Sequence, residues 1–211
     1  MILRRSRSAL ALVALCVAQA AMANGLDAFF AFNSGARNVT ADFEQTVYDR
    51  AGKVADHSTG RFELARPDKF RWTYEKPHQL LLLSDGHKLW TYDPDLRQVS
   101  VRRMDQAIAS TPAALLAGKD DITRYFTLRD AGSAEGIDWV DAVPKSADTG
   151  FEDVRIGMRG NDLAAMELRD ALGGRTMLRF SRLDTNAKLL PSTFTFTAPQ
   201  GVDVVDDTKP K

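Results

Sequence analysis

The stretch Gly60–Pro94, GRFELARPDKFRWTYEKPHQLLLLSDGHKLWTYDP, decides the fold. Phe62 and Leu64 alternate with polar neighbours, and so do Phe70, Trp72 and Tyr74. A period of two places each set on one face of a strand. Leu80 to Leu83 is an unbroken apolar run, which predicts a strand covered on both faces. Ser84-Asp85-Gly86 supplies a hairpin turn, since glycine takes the positive φ that such turns need. Trp90 and Tyr92 fall in the next strand. Arg66 breaks the pattern, because it has the parity of Phe62 and Leu64. A guanidinium is rarely buried without partners. Either the strand ends there, Pro67 turns the chain and Arg66 reaches water, or Arg66 sits at the rim of an apolar cavity and donates to whatever closes it.

Working outward, the same period continues. Val39 to Tyr48 alternates, with Val39, Ala41, Phe43, Gln45 and Val47 on one face, as in a half-exposed antiparallel strand. A turn at Gly52 leads into a polar strand ending near Arg66, and Gln98 to Arg102 forms another strand. Further strands are predicted at Ile137–Val143, Asp153–Met158, Leu163–Leu168 and Thr176–Leu183, with glycine-containing breaks between the later ones. Pro191–Phe196 is a final apolar stretch before a polar tail. Even spacing of short strands argues for a meandering antiparallel sheet curled into a barrel or part of one.

Two segments interrupt the β pattern. Leu26 to Ala36 has the apolar spacing of an amphipathic helix. Between the strands, Ser110 or Thr111 can cap a helix that Pro112 begins, Ala113–Ala117 continues and Gly118 ends. With Leu115 and Leu116 and almost no polar face, it needs something to lie against, and the open face of the sheet is available.

Residues 1–23 have the layout of an export signal: Arg4, Arg5 and Arg7, then an apolar core at Ala9–Ala18, then Ala21-Met22-Ala23. The core is too short to span a bilayer as a helix. Cleavage there leaves 188 residues as a single domain, and it removes Cys16, the one cysteine. Leu15 stands where a lipoprotein signal needs a small residue, so an unlipidated exported protein is expected. Basic residues fall from 28 to 25 against 28 acidic ones, a net charge of −3. That balance argues against nucleic-acid binding, which needs a concentrated basic face.

Chemistry-bearing motifs are wanting. His57, His78 and His87 have no partners at metal-ligand spacing, so no metal is expected. The chain has no G-x-S-x-G, phosphate loop or glycine-rich dinucleotide turn, so no catalytic residue and no cofactor is assigned. The expectation is a binding protein. An inward row of Phe43, Val47, Phe62, Leu64, Phe70, Trp72, Leu83 and Trp90 either lines an apolar ligand cavity or fills the barrel as core.

Four blocks occur in order: G-x-F-x-x-x-R-P-x-x-F-x-W at Gly60–Trp72, L-x-S-D-G-x-x-L-W-x-Y-x-P at Leu82–Pro94, T-P-x-x-L-L-A at Thr111–Ala117, and F-x-F-x-x-P-Q-G-V-x-V at Phe194–Val204. Together they resemble the LolA family of periplasmic lipoprotein carriers. The resemblance implies mainly β structure: an incomplete, unclosed antiparallel β-barrel with a helical lid over an apolar cavity. It implies a periplasmic monomer that takes the acyl chains of triacylated lipoproteins from the inner-membrane transporter LolCDE to the outer-membrane receptor LolB. It also implies that Arg66 closes the lid by hydrogen bonds to lid backbone, the matching lid segment being Leu115, Leu116 and Ala117. Cargo chains would then contact the inward row. No lid contact carries over onto Asn33 or its neighbours, where identity to the family is poor. The alternative is a periplasmic lipid- or lipoprotein-binding sensor built on the same half-barrel.

Overall fold

The computed structural model describes residues 24–104, 112–117, 122–146 and 150–208, with the backbone alone at 112–114. The expected export signal at 1–23 lies outside them, as do Ser110, Thr111 and Gly118, the expected caps of the second helix.

Helix α1 (Gly25–Gly35) starts at Asn24, whose side chain accepts the Asp27 N–H. This satisfies one of the donors that a helix start leaves free. Strands β1 (Asn38–Tyr48), β2 (Val54–Ala65), β3 (Lys69–Lys76), β4 (Leu80–Asp85), β5 (Lys88–Asp93) and β6 (Gln98–Arg103) form one antiparallel meander. The short helix α2 (Pro112–Ala117) follows, and then a second meander of β7 (Phe126–Ala134), β8 (Ile137–Pro144), β9 (Asp153–Arg159), β10 (Asp162–Arg169) and β11 (Arg175–Asp184). Strand β11 pairs with β1 and joins the two halves. The chain returns to the far edge as β12 (Asp203–Asp206), parallel to β6. The order β12-β6-β5-β4-β3-β2-β1-β11-β10-β9-β8-β7 has no pairing between its ends, so the barrel does not close.

Turn chemistry fixes the register as expected at Ser84-Asp85-Gly86. Gly86 has φ 97°. Asp85 Oδ1 accepts the His87 and Lys88 N–H groups, and the buried Ser84 hydroxyl donates to the Asp68 carbonyl at 2.7 Å.

Period two sorts the side chains onto two faces. Phe62, Trp72 and Leu82 lie opposite one another on the inner face. Across the second meander, Val140, Ile156, Met166 and Leu178 continue that face to Gln45. The main core gathers here with Phe29 and Phe32 of α1 and with Leu115, Leu116 and Ala117 of α2. Helix α1 lies under β7–β10 and α2 beside β3, so each helix covers part of one half.

The outer face corrects two expectations. Leu83 pairs with Arg71 and Trp90, and Trp90 with Val101, so Leu83 and Trp90 point away from the interior. They are apolar because the C-terminal segment crosses the outside of the sheet. Phe196 packs on Trp90 and Tyr92 at 6.3 and 5.7 Å between ring centroids, and Phe194 is buried beside β3 and β4. The Leu80–Leu83 run is thus covered on both faces, as its composition implied. Strand β7 and the edge strand β12 were not anticipated.

Candidate functional site

The site has a sealed end and an open end. At the sealed end, β2 stops at Ala65 and the chain turns through Pro67 and Asp68, yet Arg66 does not turn to water. Its Nε donates to the Ala36 carbonyl at 3.0 Å and one terminal nitrogen donates to Asn33 Oδ1 at 2.7 Å. The other terminal nitrogen donates to the Leu116 carbonyl. The guanidinium also lies 5.5 Å from the centre of the Phe32 ring. Ala36 caps the C-terminus of α1, and Leu116 is in the last turn of α2. Carbonyls at helix ends lack intrahelical donors and carry partial negative charge, so one cation holds both ends. Asp68 N–H adds a bond to the Ala117 carbonyl at 2.8 Å. Burial pushes the Arg66 guanidinium down to about 10, which leaves it protonated at neutral pH.

The strand ends at Ala65, as one sequence reading of Arg66 had it, but the side chain donates to the ends of α1 and α2 instead of reaching water. Asn33, Ala36 and Phe32 complete its surroundings and were not anticipated. Their only sequence signal is a polar Asn directly after the apolar run Ala28–Phe32.

The open end is a cavity of about 260 Å³ on the inner face. Trp72, Leu82, Leu168, Leu178 and Phe151 form its apolar wall, and Gln45, Tyr74, Thr176 and Asp170 its polar one. Tyr74 Oη donates to Gln45 Oε1 at 2.9 Å. Burial raises the Tyr74 phenol to about 12, the neighbouring indole N–H pulling weakly the other way.

Of the residues expected along the cavity, Trp72 lines it. Phe43, Phe62, Leu64 and Phe70 pack fully buried between the cavity and the sealed end, so in this conformation they fill the interior as core. Trp72 meets the Phe43 and Phe62 rings at 5.0 and 4.9 Å. Val47 is on the inner face beyond them, half-buried opposite Thr176. Leu83 and Trp90 are on the outside, as described. Gly60 allows the packing: a Cβ there would stand 2.0 Å from the Thr73 carbonyl oxygen and 2.7 Å from the Phe43 ring. Among the described residues no cluster of His, Cys, Asp or Glu could hold a metal, and no helix is long and apolar enough to cross a membrane.

The family model described as "Outer membrane lipoprotein carrier protein LolA" matches residues 34–197. The outer-membrane lipoprotein carrier protein of Dechloromonas aromatica (strain RCB) is 48% identical over 187 residues, 89% of this chain and 90% of that one. That of Methylobacillus flagellatus is 43% identical over 195 residues, 92% and 95% of the two chains. Among solved structures, an uncharacterized conserved protein from Thermus thermophilus superposes with a TM-score of 0.55 at 13% identity, over 86% of this chain and 96% of that one, a likeness of fold alone.

Proposed function

The chain belongs to the LolA family of outer-membrane lipoprotein carriers, and on that premise we propose that it is a periplasmic chaperone that carries the acyl chains of lipoproteins across the periplasm. In this reading residues 1–23 are removed on export and residues 24–211 act as one monomeric carrier domain without enzymatic activity. Cargo arrives from LolCDE as a triacylated lipoprotein and leaves for LolB.

The observation that carries the proposal is an apolar interior inside an unclosed sheet, sealed at one end by Arg66 and open at the other. A buried methylene is worth about 0.8 kcal/mol, so a triacylated anchor amounts to tens of kcal/mol and does not cross water unaided. The cavity as it stands is too small. Its volume is about 260 Å³, room for a stretch of one chain. Three acyl chains need several times that. In this proposal α2 and the end of α1 lift to make room, which exposes the core rings of Phe43, Phe62 and Phe70 to the cargo. Lifting breaks the Arg66 bonds, and hydrogen bonds from a charged donor contribute about 1.5–3 kcal/mol each. The loaded form is thereby raised relative to the closed one, which favours release. Only such differential stabilisation of two forms can shift their balance.

The test is transfer of labelled lipoprotein from the purified carrier to membranes bearing the receptor. Arg66→Leu should accept cargo and release it more slowly than the native chain. Equal transfer rates would remove Arg66 from the mechanism, and failure of the native chain to deliver any cargo would remove the carrier reading itself.

A further inference from the structure

Arg66 is not the only hold on α2. The turn that it opens runs on to Asp68, whose N–H donates to the Ala117 carbonyl at 2.8 Å. Ala117 is the last residue of α2, so this bond satisfies a carbonyl that the helix leaves free. Asp68 makes it from the left-handed region, at φ 64°. Residues other than glycine rest there where their surroundings fix them. The Asp68 carbonyl is fixed by Ser84, whose hydroxyl donates to it at 2.7 Å and accepts the Gly86 N–H at 3.1 Å. The Met104 sulfur lies 3.4 Å from the same hydroxyl. Ser84 is fully buried and sits on the inner face between its cross-strand partners Phe70 and Leu89, both buried and apolar. A hydroxyl in such a row is costly unless it is bonded. The β4–β5 turn uses it as an acceptor, while its proton goes to the turn at Asp68.

We infer that Ser84 is a positioning residue for lid closure: by pinning the Asp68 carbonyl it aims the Asp68 N–H at the end of α2, and the pair forms a second latch beside Arg66. Given the carrier reading, on which this rests, the lid is then held by a neutral contact as well as a charged one. Lifting α2 parts Asp68 from Ala117, whereas Ser84 belongs to the sheet and stays in place. The turn therefore remains set, and α2 returns to a donor already oriented when cargo leaves. A preformed donor loses less freedom on bonding than one that must first be ordered.

The experiment follows N-phenyl-1-naphthylamine, an uncharged fluorescent apolar probe, together with amide hydrogen exchange. A probe that binds the lifted form gains apparent affinity by the factor by which the closed form is weakened. Ser84→Ala should bind it roughly two- to tenfold more tightly than the native protein, the range expected of one hydrogen bond. In the same variant the Asp68 amide should exchange faster relative to the amides that pair β1 with β11. A residue that serves the hairpin or general stability alone would move neither quantity. Unchanged probe affinity, or an Asp68 amide that keeps its rate relative to that ladder, overturns the inference. If the variant does not fold, the native protein decides: adding probe should speed exchange at Asp68 and leave Gly86 protected, and equal protection of Asp68 with and without probe overturns the latch. A native protein that takes up no probe contradicts the carrier reading instead, and exchange at Asp68 in Ser84→Ala still decides the latch.

Discussion

At the scale of single residues, Arg66 and Gly60 show how little freedom the interior has. Arg66 spends three donors on two helix ends and one side-chain amide. Arg66→Lys keeps the charge and should restore only part of the lid's closure, since an ammonium cannot span the three acceptors as a planar fork does. In the transfer assay it should fall between the native chain and Arg66→Leu, and a native rate would show that charge alone suffices. Gly60→Ala places a methyl against a backbone oxygen and the Phe43 ring. Overpacking of this kind costs about 1–3 kcal/mol or more, so a clear fall in Tm is expected. An unchanged Tm would mean that Phe43 moves aside freely. Tyr74 gives a pH signature of defined sign. Its phenol rises from 10.0 to about 12 on folding, so the folded form holds its proton more tightly. That contribution is complete below about pH 10 and is lost as pH rises through about 12. Tyr74→Phe should therefore show a shallower loss of stability in that alkaline window. Parallel curves would place the phenol in water.

At the scale of elements, the pattern of alternation carried most of the fold. Alternation, the Leu80–Leu83 run and the turn residues together located β1 to β6, and parity put Phe62 and Trp72 in one inward row. It went wrong on which face of the fourth and fifth strands looks inward, placing Leu83 and Trp90 inside when both are on the outer face. Leu80–Leu83 is apolar on both faces, so parity within the run does not tell lining from cladding. The answer depends on where the C-terminal segment lies, a contact more than a hundred residues away in sequence. Strand β7 escaped notice because only its first residue is fully buried and the rest, with Arg129-Asp130 and Gly132-Ser133 breaking any clean alternation, is bulged and at an edge. Strand β12 pairs parallel through a crossover, a partnership that no local pattern encodes. The helical cover was half legible: α2 was plain from its composition, whereas the acceptors at the end of α1 are one backbone carbonyl and one Asn, which leave almost no trace in sequence. Two variants separate the faces. Phe194→Ala should cost about 3–5 kcal/mol of stability by emptying the outer cover while leaving lipid affinity unchanged. Leu116→Ala weakens the buried face of α2 and favours the lifted lid, so affinity for an apolar probe should rise. Loss of affinity in the first case, or a fall in the second, would contradict the division into cladding and lid.

At the scale of the molecule, the two half-sheets meet along β1 and β11 and remain unjoined at β7 and β12. An open seam lets the halves spread without breaking a ladder of hydrogen bonds, which a closed barrel does not allow. The rings of Phe43, Phe62 and Phe70 are core packing in this structure; on the proposed cycle they would become cargo surface when the carrier is loaded. The measurement that tests this most directly is native mass spectrometry of the protein recovered from the periplasm, followed by mixing with receptor-bearing membranes. The account predicts a one-to-one complex with a triacylated lipoprotein, whose mass disappears from the soluble fraction when the membranes are added. A protein that stays empty in the presence of abundant lipoprotein, or that holds its cargo unchanged in front of the receptor, would contradict it.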